Sequence, residues 1–322
     1  MRIIIFGVGA VGGVIAASLA LTGQDVLGIA RGARVQAIRD KGLTLRNHDG
    51  STTTPLSCVE SAAEITPRAD DVILLTTKTQ DTPRALDDLR AAGFADQAIF
   101  CVQNGVENER LALRLFPNVH GVNVMMPAEY LAADEAVCFG RTNFGVFDIG
   151  RYPQGADQTD TALAEALTTA RIKCFVDEDV MQCKHGKLLV NLGNIVEAAL
   201  GMGVAAKEIK TALMEEAQTI YRAAGIKWRD MGAGDPRRGT LLVVEPIDGV
   251  DRIGSSTSQS LARGAGSIET DFLNGEIALI ARLAGTDAPI NARAARLANR
   301  LAREKRPAGS LTPHDMAAEL GL

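Results

Sequence analysis

Short apolar runs alternate with helical stretches through the first half of the chain. Runs at 2–6, 25–30, 43–46, 71–76, 98–102 and 119–124 predict strands, and the stretches 34–41, 82–92 and 108–115 predict helices between them. Strand–helix alternation at this spacing builds βαβ units, and so a parallel sheet covered on both faces. Two further runs, 136–141 and 144–150, predict a late antiparallel pair, and 172–176 predicts a last strand returning to the sheet. The polar stretch 152–159, with Pro153 and Gly155, reads as a turn. After Asp179 the period changes: long helices are expected over 180–200, 205–224, 256 to about 283, and 292–305. A glycine- and proline-rich loop, 231–254, interrupts them.

The first strand runs into Gly7-Val8-Gly9-Ala10-Val11-Gly12, a G-x-G-x-x-G pattern that opens a helical stretch at 11–21. The pattern alone is weak, but strand before and helix after give it the context of a dinucleotide fold. There the first glycine makes the tight turn, the second lets backbone approach a pyrophosphate, and the third lets the helix pack on the sheet. The helix N-terminus offers free N–H groups to the phosphates. A merely structural strand–turn–helix is the competing explanation. The end of the second strand selects the cofactor. It reads Ile29-Ala30-Arg31-Gly32-Ala33-Arg34, with none of the carboxylates expected for NAD. Arg31 can place a forked guanidinium on a 2′-phosphate, with Arg34 assisting, which points to NADP(H). The expected fold is therefore α/β: a doubly wound Rossmann-type domain over 1–179, then an all-α domain over 180–322.

Composition narrows the chemistry. The chain has 322 residues, 46% of them hydrophobic and 23% charged, which excludes a disordered chain or a disulfide mini-scaffold. A net charge of −5 argues against a general nucleic-acid binder, which needs a basic excess. The apolar stretch 3–21 imitates a targeting or membrane segment. Its four glycines and single preceding charge fit a buried strand and helix better, so no membrane partner is expected. The five cysteines include no C-x-x-C and read as reduced thiols of a cytoplasmic protein. The four histidines (His48, His120, His185, His314) show no zinc spacing, so no metal is expected. Acid chemistry then falls to lysine, carboxylates, amides or a cofactor.

Lys187, Asn191 and Asn194 are spaced i, i+4, i+7 and share one stripe of a helix, beside an apolar stripe of Leu188, Leu192, Ile195 and Ala199. A protonated lysine can polarise a carbonyl while amide N–H groups hold a carboxylate, as an oxo acid requires. A lysine snorkelling along a solvated helix fits the same spacing. Lys184, one turn earlier, competes for the acid role, and His185 is a further candidate. Ser256-Thr257-Ser258-Gln259 fits a capping box with Ser256 as cap. Glu269 lies on a long amphipathic stretch, where a solvated glutamate is the bland alternative.

Together these features resemble the ketopantoate reductase family over nearly the whole chain. Beyond the glycine loop, the resemblance rests on Leu74-Leu75-Thr76-Thr77-Lys78, on Gln103-Asn104-Gly105, on Lys187-Leu188-Leu189-Val190-Asn191, and on Ile268-Glu269-Thr270-Asp271-Phe272-Leu273-Asn274-Gly275. It implies hydride transfer from NADPH to the keto carbon of a small 2-oxo acid. Lys187 would be the general acid, in preference to Lys184. Asn104 would sit between nicotinamide and substrate, Lys78 would line the nicotinamide side, and residues 7–12 would hold the pyrophosphate. Asn191, Asn194 and Ser256 would bind substrate, and Glu269 would be a second catalytic residue, contacting substrate or cofactor at a cleft between the domains. A homodimer through the helical domain is one further expectation. The chain departs from the family pattern at Ile195, where a second asparagine is common, and at His185, where tryptophan is common. One extra residue separates Gln259 from Glu269 relative to some members. The leading reaction is ketopantoate to pantoate. The alternatives are a paralogue reducing another 2-oxo acid, and a non-catalytic NADPH-binding regulator. A purely structural interaction protein is hard to reconcile with the glycine loop and Arg31.

Overall fold

The computed structural model describes residues 1–264 and 268–322. In chain order its first part comprises β1 (Arg2–Phe6), α1 (Ala10–Leu21), β2 (Asp25–Ile29), α2 (Ala33–Lys41), β3 (Leu43–Asn47), β4 (Gly50–Thr54) and β5 (Ser57–Val59). Next come β6 (Asp71–Leu75), α3 (Thr82–Ala91), β7 (Ala98–Cys101), α4 (Asn108–Leu113), β8 (Val119–Met125) and β9 (Ala128–Glu129). Then follow β10 (Glu135–Cys138), β11 (Gly145–Arg151), α5 (Gln158–Thr169) and β12 (Ile172–Val176). The remainder is helical: α6 (Val180–Asn191), α7 (Asn194–Leu200), α8 (Lys207–Ala223), α9 (Ser256–Ala262), α10 (Asn274–Leu283), α11 (Pro289–Arg303) and α12 (Pro313–Leu320).

An eight-stranded sheet has the order β12-β11-β8-β7-β6-β1-β2-β5. Its pairs are parallel except β8–β11. The apolar run of β1 divides by the period of two that a strand imposes. Ile3 and Ile5 join the cluster that contains Val14, Ile15 and Leu19 of α1. Ile4 and Phe6 join Leu86 and Leu89 of α3 on the other face. Burying each such side chain contributes about 1.5–3 kcal/mol relative to exposure. The one charge of β1 is matched across the ladder: Arg2 is in register with Asp71 and donates to both its oxygens at 2.6 and 2.7 Å. A second sheet, β4-β3-β10-β9, packs on α1 through β3 and β10. Lying between two sheets, α1 is apolar nearly all round, which explains its resemblance to a targeting segment. Among the described residues no helix is long and apolar enough to cross a membrane.

Several expectations need correction. The runs at 136–141 and 144–150 do not pair; β10 and β11 lie in different sheets. Gly140 makes the crossing possible, because a Cβ there would strike the Asn143 carbonyl. The helix expected over 180–200 is two, α6 and α7, separated at Leu192 and Gly193. The stretch from 256 to 283 is α9, a 3₁₀ turn at Glu269–Phe272, and α10. Helix α11 starts earlier than expected because Pro289 occupies its first turn, where a missing N–H costs nothing. Strands β4 and β5 and helices α5 and α12 went unpredicted. Both helices carry capping boxes, Asp157 with Asp160 and Thr312 with Asp315.

The chain divides into two compact units. One holds Met1–Gln103, Glu107–Lys184 and Ala233–Asp251; the other holds Asn104–Val106, His185–Gly232 and Arg252–Leu322. The division therefore falls inside α6, and residues 233–251 associate with the sheet unit, where 180–322 was expected to be one helical domain. Arg237 of that loop bonds Asp148 of β11 at 2.6 Å and also pairs with Asp235. The Arg141 N–H donates to the Val243 carbonyl at 2.8 Å.

Candidate active site

In the sheet unit, the glycine loop follows β1 at the carboxyl edge of the parallel strands, where α/β folds bind ligands. Gly7 has φ +111°, a region favouring glycine, and a Cβ there would lie 3.0 Å from the Thr77 backbone nitrogen. A Cβ at Gly12 would strike the Gly7 carbonyl and the Thr76 hydroxyl. Gly9 differs: among the described residues beyond its chain neighbours, only the Gly7 carbonyl, at 4.0 Å, lies near its Cβ position. The N–H groups of Gly7 and Val8 are taken by the Ile29 carbonyl at the end of β2, at 3.1 and 3.2 Å. Ala10, Val11 and Gly12 open α1, so their N–H groups have no carbonyl one turn back, and Gly9 supplies no side-chain cap. Open space over Gly9 and unsatisfied donors beside it fit a pyrophosphate.

The two arginines after β2 have separate fates. Arg31 is exposed and makes no hydrogen bond or ion pair among the described residues. Arg34 is buried, which overturns its expected part in phosphate binding. Its guanidinium donates to the carbonyls of Val8 and Gly9 in the glycine loop and to those of Ala132 and Ala133 at 3.0 Å. It also lies 4.3 Å from the Tyr130 ring centre. Burial pushes its pKa below the ordinary guanidinium value. Arg34 braces the loop instead of reading a ligand. Arg34→Ala should strand these carbonyls at about 1–3 kcal/mol. The denaturation midpoint should drop while the preference between NADPH and NADH stays constant; a changed preference would restore Arg34 to the phosphate.

Lys78 follows β6 at the same edge, partly exposed, and precedes a short 3₁₀ turn. Its neighbours are fixed by a buried amide–hydroxyl chain. Gln103 donates to Thr82 at 2.9 Å, Thr82 to Asn108 at 2.7 Å, and Asn108 to Thr79 at 3.1 Å. Lys184 is 3% exposed. Its ammonium donates to the carbonyls of Gln103, Val122 and Cys101 at 3.0, 3.2 and 3.4 Å. Glu109 Oε1 stands 2.5 Å from it. Surrounded in this way, Lys184 is no proton donor to a substrate. The fold also gathers His120, Asp157 and Asp160. Asp160 is bonded to His120 Nδ1 at 2.8 Å, and Asp157 to Arg151 at 2.6 Å, while the buried His120 Nε2 has no hydrogen-bond partner among the described residues.

In the helical unit, α6 carries Lys187 and, one turn on, Asn191. Lys187 is partly exposed; Asn191 is buried and donates to the Asn104 side-chain oxygen at 2.9 Å. That bond fixes both amides. Gly105, at φ +82°, sits so close to the Phe272 carbonyl that a Cβ would lie 2.9 Å from it. The expected apolar stripe of Leu188, Leu192, Ile195 and Ala199 is fully buried. Asn194 opens α7 past the break at Gly193, so the stripe of three on one helix is two residues and a neighbour. Gly186 is required for packing, since any Cβ would strike the Arg229 carbonyl. His185 meets Tyr221 edge-on, with ring centres 5.3 Å apart. Glu269 begins the 3₁₀ turn and is buried.

The cap of α9 is Ser255, whose side chain accepts from the Ser258 N–H; Ser256 is the first helical residue. The cap thus lies one residue before the expected Ser256, and the expected box with Gln259 does not form: Gln259 donates its side-chain N–H to the Gly254 carbonyl instead. Glu197, unforeseen, accepts from the Ser255 N–H at 2.5 Å and braces this start. A second serine before a helical run was the available signal, and a glutamate 58 residues away was not readable.

A parallel sheet with an open glycine-rich helix start, together with a lysine–amide helix, defines a dinucleotide-binding oxidoreductase. Known proteins agree. The family model described as ketopantoate reductase PanE/ApbA matches residues 3–153, and its C-terminal counterpart matches 179–302. The chain is 28% identical over 302 residues to a 2-dehydropantoate 2-reductase of Pyrococcus horikoshii, covering 90% of this chain and 94% of that protein. A PanE/ApbA family ketopantoate reductase from Ralstonia eutropha JMP134 superposes with TM-score 0.77 at 26% identity, over 95% of this chain and 100% of that one. A ternary structure of D-mandelate dehydrogenase with NADH and anilino(oxo)acetate shares the fold, with TM-score 0.79 at 21% identity and coverage of 95% and 100%. The chain belongs to the ketopantoate reductase family.

Proposed function

We propose that the protein reduces a 2-oxo acid to its 2-hydroxy acid with NADPH, and that the acid is 2-dehydropantoate. The observation that carries this reading is Lys187 on α6, one turn from an Asn191 locked to Asn104, in a chain of this family. NADPH, when bound, supplies the hydride that converts the keto carbon to an alcohol carbon. The N–H groups of residues 10–12 hold its pyrophosphate, and Arg31 its 2′-phosphate; Lys78 lines the nicotinamide side. Lys187 gives its proton to the carbonyl oxygen as negative charge develops there. Asn104 and Asn191 orient the substrate through amides that their mutual bond has already fixed. Asn194, Ser256 and Glu269 complete the substrate-side set in this reading. The five cysteines are all unpaired and buried, which supports a reducing compartment, the cytoplasm.

Buried Ile195, at the position where the family commonly has an amide, favours a second reading in which another 2-oxo acid is the substrate. NADPH oxidation across a panel of 2-oxo acids decides. The expected outcome is the highest kcat/KM with 2-dehydropantoate. A higher value with another acid would install the second reading, and cofactor binding without any turnover would overturn both.

A further inference from the structure

Lys184 and Glu109 form a buried ion pair that the proposed chemistry does not consume. Buried pairs are weak devices for stability, since well-packed apolar residues of similar volume often do as well. This pair does something an apolar one cannot. The β7–β8 ladder ends at Cys101 opposite Gly121. At and beyond that end, the carbonyls of Cys101, Val122 and Gln103 converge on the Lys184 ammonium. The ammonium replaces the ladder where β7 leaves the sheet. Gln103 is then held twice, by its carbonyl through Lys184 and by its side chain through Thr82 at 2.9 Å. The next residue is Asn104. Gly121 lets the first turn of α6 close on β8: a Cβ there would lie 3.1 Å from Val180, 3.3 Å from Met181 and 3.5 Å from Lys184. The next turn of the same helix carries Lys187. Glu109 Oε2 has no hydrogen-bond partner among the described residues, so Lys184 is the group that neutralises this carboxylate.

We infer that Lys184, held by Glu109, is a positioning residue for the reaction: one ammonium fixes the residue before Asn104 and the helical turn before Lys187. The inference rests on the proposed roles of Asn104 and Lys187. The test replaces the pair together, Lys184→Met with Glu109→Leu, so that no lone charge is buried. Single-turnover NADPH oxidation by a 2-oxo acid is measured beside NADPH affinity and the melting temperature. Positioning predicts a turnover rate at least about tenfold lower with NADPH affinity near wild type; the three stranded carbonyls lower the melting temperature, and the rate is read on the variant that is still folded at the assay temperature. A folded double variant with the wild-type rate would overturn the inference. If the double variant does not fold, Glu109→Gln decides alone: a rate at least about threefold lower supports positioning, and an unchanged rate overturns it. Absence of turnover in the wild-type protein would instead defeat the proposed function, which keeps the two failures apart.

Discussion

Lys187→Ala should lower the rate of 2-oxo acid reduction by about 10²- to 10⁴-fold, the range a positioned general acid contributes. NADPH affinity should stay close to wild type, because the groups proposed to hold its phosphates lie in the loop after β1 and just past the end of β2. Lys187→Arg sharpens the test. Arginine keeps the positive charge but does not surrender a proton, so it can polarise a carbonyl without protonating it. If Lys187 acts by proton transfer, the arginine variant fails nearly as badly as the alanine one. Substantial activity in Lys187→Arg would mean that charge alone suffices. Wild-type turnover in Lys187→Ala would remove Lys187 from the mechanism, and Lys184 could not replace it, since it faces three carbonyls and Glu109.

How much of this was legible depends on how local each signal is. The strand–glycine–helix unit depends on residues within about a dozen positions of one another, and β1, Gly7 and α1 stand where the pattern puts them. The apolar stripe beside Lys187 was readable because burial on a helix face has a period. The break at Gly193 was not, because one glycine in an otherwise helical pattern does not by itself end a helix. Arg31 and Arg34 are three residues apart with the same charge. Only the approach of Val8 and Ala132 tells the buried brace from the exposed arginine. The association of residues 233–251 with the sheet unit is a long-range event, set by Arg237 finding Asp148 across 89 positions. No periodicity encodes such a contact. Lys184 shows the same limit: its spacing from Lys187 suggested a rival acid, and distant carbonyls decide that it is a clamp.

Arg31→Ala should weaken NADPH binding by about 10- to 100-fold and leave NADH binding nearly unchanged. The magnitude follows from a charge-assisted hydrogen bond of about 1.5–3 kcal/mol, with 1.4 kcal/mol to each factor of ten. The position follows from the loop. Gly7 and Val8 both bond to the Ile29 carbonyl, so the end of β2 is tied to the glycine loop, and Arg31 comes two residues later. No carboxylate stands there to receive a ribose 2′-hydroxyl, and Arg34 is spent on carbonyls. Arg31 remains, exposed and uncommitted among the described residues. An equal loss for both cofactors would refute its contact with the 2′-phosphate. Arg31→Asp extends the argument: a carboxylate repels the phosphate and can accept from the 2′-hydroxyl, so that variant should reverse the preference toward NADH. If alanine and aspartate weaken NADPH alike and NADH gains nothing from aspartate, position 31 supplies charge at a distance instead of reading the ribose.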